Sequence, residues 1–217
     1  MLTQSEENHL KAIYHLGKFG SISVSTNAIA EQLETKASSV TDMLKKLADK
    51  NLVNYRKYQG VNLTEDGRNT ASNIVRKHRL WEVFLVDKLN FSWDEVHEIA
   101  EQLEHIKSEK LINQLDAFLG NPTHDPHGDP IPDRNGKMVQ LETQNILEIK
   151  TGRKGVLVSV KDSSDEFLKY LNKNNLALGD TIKVLDFEPF DSSITIETKE
   201  KTMIISKMVA ENLFLTL

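Results

Sequence analysis

The 217-residue chain contains no cysteine. This absence excludes disulfide bonds and thiolate metal sites, so a bound metal would have to be held by nitrogen and oxygen atoms. Long hydrophobic runs are also lacking, and apolar stretches such as 83–86 are far too short to span a bilayer. The N-terminal stretch is polar and helix-periodic and does not look like a signal peptide, so we expect a cytoplasmic protein without a membrane partner.

Three groups of catalytic motifs are missing as well. The sequence has no HExxH pattern, no glycine-rich phosphate loop and no nucleophile elbow. The pair His97–Glu98 is followed by Glu101 where HExxH requires a second histidine. Metal-assisted hydrolysis would also need an open coordination position beside a general base. We therefore predict that the chain is not an enzyme and has no small-molecule substrate.

An overall excess of positive charge is absent too, since the net charge is −5 and the pI is about 5.8. Taken alone, this total argues mildly against nucleic-acid binding. Between Lys36 and Lys57, however, six basic residues face two acidic ones, a local balance of +4. A duplex responds to the local field of the docking face more than to the global charge. This segment is therefore a candidate DNA-binding surface.

The first quarter of the chain predicts a winged helix-turn-helix. Apolar periodicity and N-cap residues indicate helices at about 5–16, 27–33 and 37–49. The segment LVNYRKYQGVNLT then alternates apolar and polar residues on both sides of Gln59–Gly60, which is typical of a β-hairpin. Helix, tight turn and helix followed by such a hairpin make up the DNA-binding arrangement.

In that arrangement the start of the third helix enters the major groove, and the wing contacts the backbone. The predicted base contacts are Lys36, Ser38, Ser39 and Asp42, and the predicted phosphate contacts are Lys45, Lys46, Arg56 and Lys57. The alternative interpretation is a helical subdomain whose lysines form a solvated face.

The remainder of the chain predicts a helical segment followed by a small β domain. Thr64 and Ser92 are expected to cap two helices, and a further helix is expected at 108–119. Residues 121–136 hold four of the five prolines and form a loop. Short β-branched runs and one helix at 164–171 then indicate an SH3-like barrel. The expected domains are 1–72 (winged helix-turn-helix), 73–137 (helical dimerisation and metal-binding domain), 138–151 (linker) and 152–217 (SH3-like domain).

Imidazoles and carboxylates gather on two neighbouring helical segments. His78 and Glu82 stand one helical turn apart, and a second set shares one face of the next helix at i, i+4, i+7 and i+8. The second set is His97, Glu101, Glu104 and His105. Such groups on facing helices suit a first-row divalent metal. Each pair could equally belong to a solvated helix face, and the residues alone leave both interpretations open.

A winged helix, the strings KHRLWE and VHEIAEQLEH, a PHGDPIP loop and a C-terminal SH3-like module together resemble the diphtheria toxin repressor/manganese transport regulator family. The likeness covers essentially the whole chain and is most specific at 76–82, 97–105 and 126–132. It implies a mainly α protein with a C-terminal FeoA-like β domain. It also implies a homodimeric, metal-activated transcriptional repressor of metal-uptake genes that binds a palindromic operator in double-stranded DNA.

The resemblance also implies two metal sites. In the primary site, metal would bridge the DNA-reading and dimerisation domains and favour the arrangement that binds the operator. The implied primary ligands are Asn8, Glu101, Glu104 and His105. The implied ancillary ligands are His78, Glu82 and His97, with Asp125 and His127 from the proline-rich loop and Asp162 from the third domain.

Several positions depart from the family pattern and bear on the choice of metal. Iron-sensing members have cysteine where this chain has Glu101, whereas manganese sensors have glutamate, so Mn(II) is favoured and Fe(II) is the alternative. Asn8 replaces the aspartate usual in manganese sensors, and Asp125 replaces a cysteine of some relatives. Lys11 stands where some manganese sensors place a glutamate that bridges two metals, which disfavours that geometry. The competing hypothesis is a metal-independent winged-helix regulator or interaction protein.

Overall fold

The computed structural model describes residues 2–56 and 59–217. Close contacts between Cα atoms divide the chain into two compact units. None of the described helices is both long and apolar enough to cross a membrane. The first unit comprises the described residues of 1–81, 100–114 and 132–138, and the second comprises 82–99, 115–131 and 139–217.

Three helices open the first unit: α1 (Gln4–Leu16), α2 (Thr26–Gln32) and α3 (Ala37–Asp49). A capping box starts α1, because the Thr3 hydroxyl accepts the Glu6 amide and the Glu6 carboxylate accepts the Thr3 amide at 3.0 Å. The Ser25 hydroxyl caps α2 by accepting the amide of Ala28 at 3.1 Å. The predicted starts of both helices lie within one residue of the observed ones.

The apolar faces of these helices form one core. Leu10 of α1, Ile29 of α2 and Leu44 of α3 are completely buried in it. Full burial of one such side chain contributes about 1.5–3 kcal/mol to folding. The position of α1 is therefore tied to that of the helix-turn-helix, a link on which the site described below depends.

A two-stranded wing follows α3. Strand β1 (Val53–Arg56) pairs antiparallel with β2 (Gly60–Leu63), as the hairpin prediction requires. Val24, in the connection before α2, exchanges two backbone hydrogen bonds of 2.9 Å with Val61. Strand β2 is thus held on both sides, by β1 and by Val24. The predicted phosphate contact Lys57 lies outside the described residues.

The helical segment comprises α4 (Glu65–Leu89), α5 (His97–Leu103) and α6 (Glu109–Phe118). The Thr64 hydroxyl accepts the Gly67 amide at 3.0 Å and caps α4, as predicted. A Cβ atom at Gly67 would lie 1.8 Å from the Leu52 carbonyl oxygen, so only glycine allows this close approach.

The helix predicted to begin at Ser92 begins instead at His97, which is a correction to the sequence-based prediction. The Glu95 carboxylate accepts the backbone amide of Ser92 at 3.0 Å and its hydroxyl at 2.8 Å. The Glu95 amide in turn donates to the Ser92 carbonyl at 3.0 Å. These bonds close a separate turn before the helix. Capping residues can stabilise such turns as well as helix starts.

The C-terminal part of the second unit is a six-stranded antiparallel sheet. Its strands are β3 (Gln144–Asn145), β4 (Lys154–Val160), β5 (Thr181–Phe187), β6 (Ile194–Glu197), β7 (Thr202–Ile205) and β8 (Leu213–Thr216). Their order is β3-β8-β4-β5-β6-β7, so the pairs formed by the described residues do not close into a barrel. The predicted class, mainly α with a small β domain, is confirmed; the barrel is open.

Two helices accompany this sheet: α7 (Asp165–Lys173) and α8 (Lys207–Ala210). Leu168 and Leu171 of α7 are buried against the sheet residues Leu157 and Ile182. The sequence predicts α7 at 164–171, close to its observed bounds, because its apolar residues recur at helical spacing.

Candidate metal centres and nucleic-acid interface

A cluster of charged and polar side chains lies between α1 and the C-terminal end of α5, within the first unit. We call it the α1–α5 cluster. Its members are Glu7, Asn8 and Lys11 of α1, His78 of α4, Glu101 of α5, and Glu104 and His105, which follow α5. It includes all four residues predicted for the primary site.

His105 is oriented by Glu7, which the sequence reasoning did not single out. The Nδ1 atom of His105 lies 2.6 Å from Oε2 of Glu7. A carboxylate only accepts hydrogen bonds, so Nδ1 donates. In the neutral imidazole, Nε2 then keeps its lone pair, as in histidines that bind metals with a carboxylate behind them. Nε2 lies 4.0 Å from Oε1 of Glu104, close enough for one ion to contact both atoms.

Glu104 is fully buried and its two oxygens have different surroundings. Oε2 accepts from the Lys11 ammonium at 2.8 Å and from Nδ1 of His78 at 2.7 Å. Oε1 is buried and has no hydrogen-bond partner among the described residues. Burial alone would raise the pKa of Glu104, but the contacts with His78 and Lys11 outweigh it and hold the pKa below its usual range. Oε1 of this ionised carboxylate thus receives no hydrogen bond from the described residues.

Asn8 also has a buried side-chain oxygen. Its Oδ1 atom is buried and has no hydrogen-bond partner among the described residues. Asn8 stands three residues before Lys11 on α1, so the two side chains share a helix face. A buried polar atom without a partner costs about 1–3 kcal/mol. Oxygen ligands such as Oδ1 of Asn8 and Oε1 of Glu104 suit a hard divalent cation such as Mn(II) better than a soft one.

A second group of possible ligands lies in the second unit. Glu82 of α4 and Asp125 and His127 of the proline-rich loop are all buried, and their ligand atoms lie within 4.8 Å of one another. His97 is adjacent, with Nδ1 3.4 Å from Oε1 of Glu82. Four of the six residues predicted for the ancillary site therefore come together. His78, predicted with them, has its Nδ1 atom beside Glu104 in the first unit.

The proline-rich loop is fixed to strand β4 through its backbone. Oδ1 of Asp125 accepts the amides of His127 at 2.8 Å and Asp129 at 3.0 Å, which closes a tight turn. The His127 carbonyl accepts the Val160 amide at 3.1 Å. A Cβ atom at Gly128 would lie 2.0 Å from the Val158 carbonyl oxygen. Glycine thus allows the loop to lie directly against the sheet.

Contacts on both sides hold the His127 ring. Nε2 lies 2.8 Å from the carbonyl oxygen of Trp93, whose ring stacks on the imidazole at a centroid distance of 6.1 Å. Nδ1 lies 3.7 Å from Oε2 of Glu82. Burial alone would lower the pKa of His127, but the Glu82 and Asp125 carboxylates and the Trp93 carbonyl outweigh it and raise the pKa to about 9. Metal coordination here must displace a proton.

Asp162, the remaining predicted ancillary ligand, is half-buried after β4 in the second unit. Its Oδ1 atom accepts the Ser164 amide at 2.9 Å. The group formed by Glu82, Asp125 and His127 does not contain it. Its role as a ligand stays a prediction.

The face predicted to read DNA is open along α3. Lys36, Ser38, Ser39, Asp42, Lys45 and Lys46 are all exposed, and so is Arg56 at the end of β1. Asp42 accepts from the Lys45 ammonium at 3.1 Å. This pair places a positive charge beside the one acidic residue of the predicted contacts. Thr26, Asn27 and Tyr55 line a groove together with Ser38. Sequence reasoning did not identify these three residues.

Comparisons with known proteins agree with this architecture. The chain matches the iron dependent repressor N-terminal DNA binding domain over residues 1–61, the iron dependent repressor metal binding and dimerisation domain over 64–133, and the FeoA domain over 145–217. A solved manganese-dependent transcriptional repressor in complex with manganese is 32% identical, with a TM-score of 0.86, covering 97% of this chain and 99% of that one. The chain belongs to the diphtheria toxin repressor/manganese transport regulator family.

Relatives within the family carry names that refer to different metals. The manganese regulator SloR is 34% identical, with a TM-score of 0.76 and 99% coverage of both chains. The iron-dependent repressor IdeR of Mycobacterium tuberculosis is 36% identical over 131 residues, which are 60% of this chain and 56% of IdeR. The matched part of the chain thus spans little more than half the length of IdeR. The diphtheria toxin repressor of Corynebacterium jeikeium is 28% identical over 185 residues.

Proposed function

We propose that this chain is a homodimeric transcriptional repressor that Mn(II), or alternatively Fe(II), activates to bind a palindromic operator controlling metal-uptake genes. The observation that carries the proposal is the α1–α5 cluster. Two of its buried oxygens, Oδ1 of Asn8 and Oε1 of Glu104, receive no hydrogen bond from the described part of the chain and belong to the same unit as the winged helix. Membership of a family with DNA-binding, dimerisation and metal-binding domains supports the same function.

The proposed primary ligands are Asn8, Glu101, Glu104 and His105. A divalent ion bound there would supply a positive charge shared by α1 and the end of α5. Leu10 and Ile13 of α1 are buried in the core of the winged helix. Any restraint on α1 is therefore passed to the helix-turn-helix, and the arrangement that satisfies the ligands best gains population.

The proposed ancillary site is the group formed by Glu82, Asp125 and His127, with His97 beside it and Asp162 as a further candidate. All its ligand atoms are oxygen or nitrogen, which suits the same metals as the primary site. Since the loop is hydrogen-bonded to β4, an occupied site would steady the loop against the sheet. We propose that it assists activation without being essential for it.

The proposed DNA contacts are the exposed side chains of α3 and the wing. Lys36, Ser38, Ser39 and Asp42 would reach base edges, while Lys45, Lys46, Arg56 and Lys57 would neutralise phosphates. Two winged helices related by a two-fold axis would read half-sites about 34 Å apart, or a multiple of that distance.

The decisive experiment measures operator binding by the purified full chain across a series of divalent metals at one fixed salt concentration. We expect Mn(II) or Fe(II) to raise the affinity by about 5- to 150-fold per coupled site, and a chelator to reverse the gain. The variant Glu104→Gln should lose the metal response, whereas Glu166→Gln, an exposed glutamate of α7, should retain it. Equal affinity with and without every metal would instead support a metal-independent regulator.

A further inference from the structure

A polar cavity of about 510 Å³ lies between the N-terminal half of α4 and α6, and all its lining residues belong to the first unit. We call it the α4–α6 cavity. Its lining includes four basic and two acidic residues, a balance of +2: Arg76, Lys77, Lys107 and Arg134 against Glu7 and Glu109. This excess of positive charge favours an anion as the ligand.

Two of the four basic side chains are buried and two lie at the surface. Arg76 and Lys77 are only 3% and 7% exposed, whereas Lys107 and Arg134 are exposed. No hydrogen bond or ion pair joins the Lys77 ammonium to a described residue. A buried charge without a counter-ion raises the free energy of the folded state. An anion therefore gains most from a position beside Lys77.

A second cavity, of about 360 Å³, adjoins the first, because Asn69, Asn73 and Arg134 line both. Ser72 also lines this second cavity, and its Oγ atom is buried without a hydrogen-bond partner among the described residues. Oδ1 of Asp133 accepts two backbone amides of its own turn, at 2.8 and 2.9 Å, and so fixes the turn that carries Arg134. A ligand that reaches into this part can satisfy the Ser72 hydroxyl.

The chemistry of the α4–α6 cavity favours a phosphorylated small molecule. Ammonium, guanidinium and hydroxyl donors suit a phosphate group, which has several oxygens to accept them. A volume of about 510 Å³ falls in the range of small-molecule sites and exceeds what one phosphate ion fills. The carboxamides of Asn69, Asn73 and Asn113 can pair with hydroxyl groups in the rest of the ligand. Because Arg76 and Lys77 are buried, a small molecule fits better than the backbone of a duplex.

We propose that the α4–α6 cavity binds a small sugar phosphate, whose charge is neutralised by Lys77 and Arg134 and one of whose oxygens accepts from the Ser72 hydroxyl. This inference goes beyond the proposed metal and DNA sites. It needs no metal, so it can be tested on metal-free protein, and its outcome is independent of the proposed function.

The experiment titrates ribose 5-phosphate and glucose 6-phosphate by calorimetry into the full chain, freed of metal and chelator, in a buffer without phosphate. We expect saturable binding of at least one of them, and weaker binding of inorganic phosphate and succinate. Lys77→Gln should weaken the binding by about 10- to 100-fold, because a charge-assisted hydrogen bond is lost. Lys110→Gln, an exposed lysine of α6 that does not line the cavity, is the matched control and should bind like the wild type.

Thermal unfolding gives a second measurement. Without ligand, Lys77→Gln should melt no lower than the wild type, since a buried charge without a counter-ion is removed. The sugar phosphate should raise the melting temperature of the wild type more than that of the variant. If Lys77→Gln does not fold, Ser72→Ala and the surface variant Arg134→Gln carry the same comparison.

Three results would overturn the proposal. The first is the absence of saturable binding by both sugar phosphates. The second is equal affinity of the wild type and the folded cavity variants, which would place the bound ligand elsewhere. The third is tighter binding of succinate than of either sugar phosphate, which would identify a carboxylate site instead.

Discussion

Glu7 determines which nitrogen of His105 is available to coordinate a metal. The contact joins residues 98 positions apart. Nothing in the local sequence distinguishes Glu7 from Glu6, whose carboxylate instead caps α1 and contacts Lys50 at 2.6 Å. The helical spacing of Glu101, Glu104 and His105 predicts that these side chains belong together. Their partners on α1 depend on how the helices pack, and periodicity does not encode that.

Replacing Glu7 with glutamine should weaken Mn(II) binding by about 10- to 100-fold, as is usual when the partner of a metal-bound histidine is changed. The amide can offer a donor to Nδ1, so the imidazole no longer has a fixed tautomer. Titration calorimetry at constant pH measures the effect. The control Glu166→Gln on α7 should bind like the wild type, and an equal affinity for Glu7→Gln would exclude the orienting role.

His127 predicts a pH dependence of stability in metal-free protein. Its folded-state pKa of about 9 lies above the unfolded value of about 6.5. The protonated ring therefore stabilises the fold fully below pH 6.5, and this contribution is lost as the pH rises through 9. The stability advantage of the wild type over His127→Gln should shrink by about 3 kcal/mol across this window.

Urea unfolding with a chelator present, at several pH values between 6 and 10, provides the measurement. His124→Gln, in the same loop, should leave the pH dependence of the wild type unchanged. An advantage over His127→Gln that stays constant with pH would contradict the assignment of the charge to His127.

Elements defined by local signals are the ones that the sequence predicts well. The predicted bounds of α1, α2 and α3 differ from the observed ones by at most one residue, because apolar residues recur at helical spacing in all three. The start of α5 is missed because Ser92 and Glu95 form a turn with the same residue types as a helix cap. The sequence does not predict that the sheet stays open, because a run of strand residues does not identify the strand with which it pairs. Closure into a barrel depends on pairing between strands that lie far apart in the sequence.

The contact between the proline-rich loop and β4 gives a prediction with an internal control. Gly128 and Gly152 both have left-handed backbone conformations, with φ of +87° and +86°. Alanine at either position costs about 1–2 kcal/mol of backbone strain. At Gly152 no described atom lies within 4 Å of the new methyl group, whereas at Gly128 the Val158 carbonyl oxygen lies 2.0 Å away. Gly128→Ala should therefore destabilise the protein by about 1–3 kcal/mol more.

Denaturant unfolding of both variants measures the difference directly. Gly128→Ala should in addition weaken Mn(II) binding at the ancillary group, since the loop that carries Asp125 and His127 must shift. Equal stability of the two variants would show that the loop can move away from β4 without cost.

In the molecule as a whole, the proposed metal site and the DNA-reading surface belong to one compact unit. Coupling between two sites is reciprocal, because it is a single free energy. We therefore predict that saturating operator DNA tightens Mn(II) binding by the same factor by which Mn(II) tightens DNA binding. Calorimetric titration of Mn(II) with and without operator tests this. A scrambled duplex is the control, and an unchanged Mn(II) affinity on the operator would contradict the coupling.

The two hydrogen bonds between Val24 and Val61 also bear on the thermodynamics of DNA recognition. They anchor strand β2 to the connection that precedes α2, so this part of the wing is ordered before any duplex arrives. Ordering a residue's backbone costs about 1–2 kcal/mol in entropy. Because that cost is met during folding, binding through α3 and this strand should resemble the docking of a rigid body. Its entropy loss should be small compared with that of regulators whose reading segments fold on the DNA.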